Sequence, residues 1–214
     1  SVMESIPVHE SIKSGESGRD EAIDAFIVSL RAVGKAGVPV VCYNFMPVFD
    51  WMRSSLASVN TDGSTSLGYD AALLEKMDPL SGSLSLPGWL AGYEREELAR
   101  LLEMYRAMDD ERLWGNLAYF LAAVVPEAER AGVRLAIHPD DPPWPVFGIP
   151  RIITNAHAIR RLLSLETSPA NALCLCTGSF GADPDNDIPA MAAEFAQRTA
   201  FAHLRNVKIT GPRS

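Results

Sequence analysis

A parallel α/β sheet wrapped by helices is the fold class this sequence predicts, on three observations. Short runs of Val, Ile, Leu, Ala and Cys recur with little polar interruption, as expected of strands covered on both faces. Amphipathic helical patterns stand between those runs, so strand and helix alternate. Each run also breaks off in polar or metal-binding residue types, and the carboxyl ends of parallel strands are where such folds place their chemistry.

The first strand is read over residues 1–9, with Glu4 and His9 toward its end. A helix over 20–36 follows, carrying Ile23, Phe26, Ile27, Leu30 and Val33 on one face, and Gly37 closes it. The second strand, 38–45, ends in Tyr43 and Asn44. Residues 50–93 form a long excursion rich in Ser, Gly and Pro, with a hairpin signal at Asp62 and Gly63; a flap or lid is expected there. A helix over 94–108 buries Leu98, Leu101, Leu102 and Tyr105. The next runs from a cap at Asp109 or Asp110 to about Arg130 through Leu113, Leu117, Phe120, Leu121 and Val124, with a kink expected at Pro126 and Gly132 as its stop. The third strand, 132–138, ends in His138, followed closely by Asp140 and Asp141. Asn155 caps a helix over 156–166; a fourth strand, 172–178, carries Cys176 near its end. Pro189 suits the first turn of a helix over 189–198 behind Asp187 as cap, and the fifth strand, 199–205, ends in His203 and Arg205.

At 214 residues and 47% hydrophobic composition, residues 1–214 are expected to form a single domain, burying roughly 70% of the unfolded surface. The net charge of -8 and the dispersed basic residues argue against a nucleic-acid partner. No apolar run reaches the ~20 residues a membrane span needs, and no basic, apolar leader opens the sequence, so a soluble cytoplasmic protein is expected, without a membrane partner. Three cysteines do not suggest a disulfide framework; reduced thiols, free to bind metal, are the better reading.

His138, Cys176 and His203 each lie near the carboxyl end of a separate strand. A barrel or a doubly wound sheet would bring all three to one mouth. Taken singly, a strand histidine is commonly a hydrogen-bonded core residue and a strand cysteine a small buried hydrophobe. Together, imidazole and thiolate suit divalent Mn, Fe, Co or Zn, with a carboxylate still needed as fourth ligand. Asp140 and Asp141 read as acid–base groups, supports for a metal, or turn formers ahead of Pro142. Arg205 would clamp a carboxylate substrate or form a structural ion pair. Cys174 and Cys176 alternate onto one face, and with no second cysteine pair they do not form a zinc knuckle. The acidic stretch 183–187 lacks the glycine and distal glutamate of a calcium loop.

Longer motifs carry a family resemblance. They are Glu-Ser-Ile-Pro-Val-His-Glu at 4–10, Val-Cys-Tyr-Asn-Phe-Met-Pro-Val at 41–48 with Asp50 and Trp51, and Ile-His-Pro-Asp-Asp-Pro-Pro at 137–143. Gly-Ile-Pro-Arg-Ile at 148–152, Cys-Thr-Gly-Ser at 176–179, Asp-Asn-Asp at 185–187 and His-Leu-Arg at 203–205 complete the set. Spanning nearly the whole chain, they resemble the metal-dependent mannonate dehydratases of hexuronate catabolism, TIM barrels related to the xylose isomerase-like group. The resemblance implies Mn2+ or Fe2+ held by two histidines, a cysteine and an aspartate, and His138, Cys176 and His203 match the first three. The aspartate belongs to a Pro-Asp-His-Gly segment on the last barrel strand, which this sequence lacks. Against the family, the chain runs from about the third strand to just after the seventh. The expectation is therefore an incomplete TIM barrel of about five strands: either the sequence is part of a longer protein, or its open edges need covering by a partner or a second copy, and a homo-oligomer is the expected state.

The implied reaction is dehydration of D-mannonate, a small sugar acid, to 2-keto-3-deoxy-D-gluconate. Arg205, Asn44 and His9 are then candidates for substrate binding, and Tyr43 and Asp140 for proton transfer. Two alternatives stay open: a related metal-dependent sugar isomerase or epimerase, and a catalytically inactive truncated barrel serving as a binding or assembly module.

Overall fold

The computed structural model describes residues 1–81, 93–211 and 213. Its strands, in chain order, are β1 (Val2–Glu4), β2 (Val40–Tyr43), β3 (Ser55–Val59), β4 (Thr65–Gly68), β5 (Arg134–Ile137), β6 (Asn171–Cys176) and β7 (Thr199–His203). β3 and β4 pair with each other alone; the other five form one parallel sheet in the order β1-β2-β5-β6-β7. Every strand of that sheet therefore pairs with the next one the chain supplies to it. A doubly wound sheet reverses its order at a switch point and this one does not, so the strand order is that of the barrel the family resemblance implied. The sheet also curls: β7 reaches β2 although β5 and β6 lie between them. Five parallel strands thus form an incomplete, TIM-like barrel.

The strands are shorter than their apolar runs because turn residues had been counted in. β1 stops at Glu4, and Pro7, with no N–H for the ladder, stands in the stretch after it. His9 consequently lies outside the strand that the sequence had extended to it.

Eight helices are described: α1 (Glu10–Ser14), α2 (Arg19–Lys35), α3 (Ala71–Leu74), α4 (Arg95–Arg106), α5 (Asp110–Ala131), α6 (Ala156–Leu165), α7 (Thr177–Gly181) and α8 (Ile188–Phe195). None is long and apolar enough to cross a membrane among the described residues. Strand alternation sends Val41, Tyr43, Leu135, Ile137, Leu173 and Leu175 into one large core with α2, α5 and α6. The opposite, inner face carries small residues, Cys42, Ala136 and Cys174 packed with Val40. Phe120 of α5 sits at the centre of the helix-side core, its ring 5.0 Å from Phe26 and 5.8 Å from Tyr43.

Caps fix where α5 begins and ends. Asp109 accepts the Arg112 N–H at 2.8 Å. At the far end Gly132, at φ 67°, lets Val133 N–H reach back to Ala128 O at 2.9 Å. Pro126 stands inside this helix without ending it. Asp109→Ala is expected to lower stability by about 1 kcal/mol, read as a lower urea midpoint at unchanged slope. An unchanged midpoint would mean that the cap contributes nothing.

The hairpin signal is realised by β3 and β4, joined at a turn where Gly63 adopts φ 83° and Ser64 N–H bonds the Asp62 carboxylate at 2.9 Å. Residues 82–92 of the expected excursion lie outside the described residues.

Candidate metal centre

Three strand ends meet on the inner face. His138 extends the β2–β5 ladder by one step, its N–H donating to Tyr43 O at 2.6 Å. Its Nδ1 lies 2.7 Å from Pro139 O. A carbonyl only accepts, so Nδ1 carries a proton, and Nε2 is the nitrogen left for Cys176 or a metal. Cys176 is both the last residue of β6 and the N-cap of α7, with Sγ 3.4 Å from Ser179 N, 3.1 Å from Ser179 Oγ and 2.6 Å from Arg205 Nη2. His203 ends β7, its ring 5.1 Å from that of His138.

One ligand atom from each of His138, Cys176 and His203 lies within 4.8 Å of the other two. Three donors no more than 4.8 Å apart lie within roughly 2.8 Å of a common centre, beyond a metal–sulfur or metal–nitrogen bond of about 2.0–2.3 Å, so the set fits a single ion after contraction by about half an ångström per donor. Electrostatics favour the same conclusion. Burial pushes the Cys176 thiol up, but the hydrogen bond and charge of His138, helped by Ser179 and Arg205, outweigh it and bring the thiol down to about 5. A thiolate is the form a metal needs. On His138, burial pulls the imidazole down and the Cys176 sulfur more than restores it, so the net direction is up.

Asp141 braces this arrangement. Arg53 grips its carboxylate through Nη1 at 2.7 Å and Nη2 at 3.2 Å, while Ser179 Oγ stands at 3.1 Å and Arg205 Nη2 at 3.4 Å. Burial works against the charge, yet the Arg53 bond and charge, with Arg205 and Ser179, hold the carboxyl below its ordinary value. Gly178 explains how Arg205 gets so close to the sulfur. A Cβ there would stand 2.9 Å from Arg205 Cβ and 3.1 Å from its Nε.

The remaining sequence candidates separate. Arg205 is in the cluster through its contact with Cys176. Asn44 is half-buried just beyond β2, its Oδ1 accepting the Met46 N–H at 3.2 Å. Asp140 is buried, its Oδ2 accepting the Ile152 and Ile153 N–H groups at 2.6 and 3.0 Å, so it anchors the segment after β5. Tyr43 lies apart from the three donors. It points to the helix side, 1% exposed among Phe26 and Phe120, its hydroxyl without a hydrogen-bond partner among the described residues and pushed up by burial, then by Cys42. His9 is the N-cap of α1, exposed, with Nδ1 2.8 Å from Ser11 Oγ.

Sequence reasoning missed three contributors. Ser179 had a signal, since it stands three residues after a residue that caps a helix. Glu4 had none for its contact with His203, at 3.1 Å between Oε1 and Nε2, because that contact spans the sheet. Arg53, at the start of the excursion, was equally silent.

Comparison with known proteins gives a consistent picture. The profile of the family described as D-mannonate dehydratase (UxuA) matches residues 1–214. A mannonate dehydratase of Oceanobacillus iheyensis is 51% identical over 208 residues, 97% of this chain and 60% of the relative. One from Streptococcus equi subsp. zooepidemicus is 54% identical over 211 residues, 97% of this chain and 58% of the relative. The crystal structure of mannonate dehydratase from Streptococcus suis serotype 2 superposes with a TM-score of 0.86 at 48% identity, covering 96% of this chain and 56% of that one. The chain therefore spans about 60% of the length of the relatives it matches. With a profile match along its entire length and relatives at about half identity, the chain belongs to the D-mannonate dehydratase (UxuA) family.

Proposed function

We propose that the protein dehydrates D-mannonate to 2-keto-3-deoxy-D-gluconate at a divalent metal, Mn2+ or Fe2+, held by His138, Cys176 and His203. The observation that carries this reading is the convergence of those three donors, from three strands, to within 4.8 Å. Family membership supports the choice of substrate.

Removing a proton next to a carboxylate builds a second negative charge beside the first, and a bound divalent ion supplies the positive charge that stabilises it. The chain's own residues do the rest. Arg205 keeps Nη2 on Cys176 and Ser179 while its side chain stays 44% exposed, so its open edge can receive the substrate carboxylate. Asn44, with Oδ1 engaged by Met46, has its amide nitrogen to offer a hydroxyl. The reading takes the protein as cytoplasmic and as a homo-oligomer.

Incubation with D-mannonate and Mn(II) should yield a 2-keto-3-deoxy acid, and EDTA should abolish it. A ketose or epimer formed without loss of water would replace this reading with an isomerase. Absence of any product would overturn it.

A further inference from the structure

β1 and β7 are the two edges of the five-stranded sheet, yet Glu4 Oε1 lies 3.1 Å from His203 Nε2. Only the curl of the sheet brings these residues together. Glu4 stands opposite Cys42 in the β1–β2 register, and His203 opposite Cys176 in the β6–β7 register, so both face the inner side. Among the described residues no Lys or Arg pairs with Glu4, and its side chain is 50% exposed. It stands outside the three-donor group itself.

We propose that Glu4 is a positioning residue for His203, fixing which imidazole nitrogen is offered to the metal; this rests on the metal site argued above. An ionised carboxylate only accepts, so Nε2 of His203 carries the proton and Nδ1 keeps the lone pair. His138 is arranged on the same logic with the nitrogens exchanged, Nδ1 tied to Pro139 O at 2.7 Å and Nε2 available. Each histidine thus has one nitrogen fixed by an oxygen and the other presented, as metal-bound histidines generally do. Pro139 O is local to β5, whereas Glu4 reaches across the open mouth from β1.

Cobalt(II) binding separates this role from the metal reading. The unmodified protein should take up Co(II) with a thiolate charge-transfer band from Cys176 and ligand-field bands from the imidazoles. Glu4→Ala should keep the thiolate band, shift the ligand-field bands and weaken Co(II) binding by about 10–100-fold. Glu4→Gln, which is isosteric and keeps an oxygen acceptor, should recover most of both, and it carries the test if Glu4→Ala does not fold. Asp24→Asn, which removes the same charge from the exposed face of α2, should change neither. If the unmodified protein shows no thiolate band, the metal site itself is wrong. If it does, and Glu4→Ala binds with unchanged affinity and spectrum, the positioning role is overturned while the site stands. Glu4→Gln no better than Glu4→Ala overturns it as well, because a hydrogen-bond role requires the rescue.

Discussion

Cys176→Ser is expected to lower metal affinity by more than about 100-fold, beyond the 10–100-fold that loss of a supporting residue costs, whereas Cys42→Ser leaves metal content unchanged. The difference comes from where each sulfur stands. Cys176 is drawn down to about 5 by His138, Ser179 and Arg205 against the effect of burial, and is ready to act as a thiolate. Cys42 is 2% exposed in the apolar inner cluster beside Cys174. The Cys174 thiol is itself pushed far up, first by its hydrogen bond with Cys42 and then by burial. Serine at 176 keeps a cap for α7 but supplies an alcohol that does not ionise near neutral pH. Metal analysis of the two dialysed variants checks this; equal loss from both would remove the ligand assignment.

Asp141→Ala is expected to cost about 3–5 kcal/mol, the range for breaking one side of a buried ion pair. Arg53 and Asp141 have side chains only 15% and 5% exposed, and removal of the carboxylate leaves the buried Arg53 without its anion and Arg205 with only the Cys176 sulfur. The pH dependence has a definite sign. The Asp141 carboxyl is lower in the folded state than in the unfolded chain, so its contribution is fully present above the ordinary carboxylate value of about 3.9 and is lost as pH falls through the lower folded value. The stability gap between the unmodified protein and Asp141→Asn should therefore narrow as the solution is acidified below that value. A gap that stays constant on acidification would show that Asp141 acts through shape and not charge.

Much of this was legible in the sequence for a simple reason. Strand ends are marked by the residue where an apolar run breaks, and His138, Cys176 and His203 each stand within a residue of such an end. The same alternation, applied strictly, would have removed Tyr43. Neighbouring residues of one strand face opposite ways, so with Cys42 on the inner face Tyr43 had to join the helix-side core. Asp140 and Asp141 could not be told apart, because the backbone turn decides which carboxylate meets Ile152 and Ile153 and which meets Arg53. Strand order was also unwritten: an alternating pattern suits a barrel or a doubly wound sheet equally. Contacts made across the curl, Glu4 with His203, or from the excursion, Arg53 with Asp141, have no local signature at all.

X-ray absorption at the metal edge of the Mn(II)-loaded protein tests the central claim most directly. One sulfur neighbour together with imidazole scattering, the sulfur lost in Cys176→Ser, is the expected result. A shell of oxygen or nitrogen alone, unchanged by that substitution, would contradict a metal centre built from His138, Cys176 and His203.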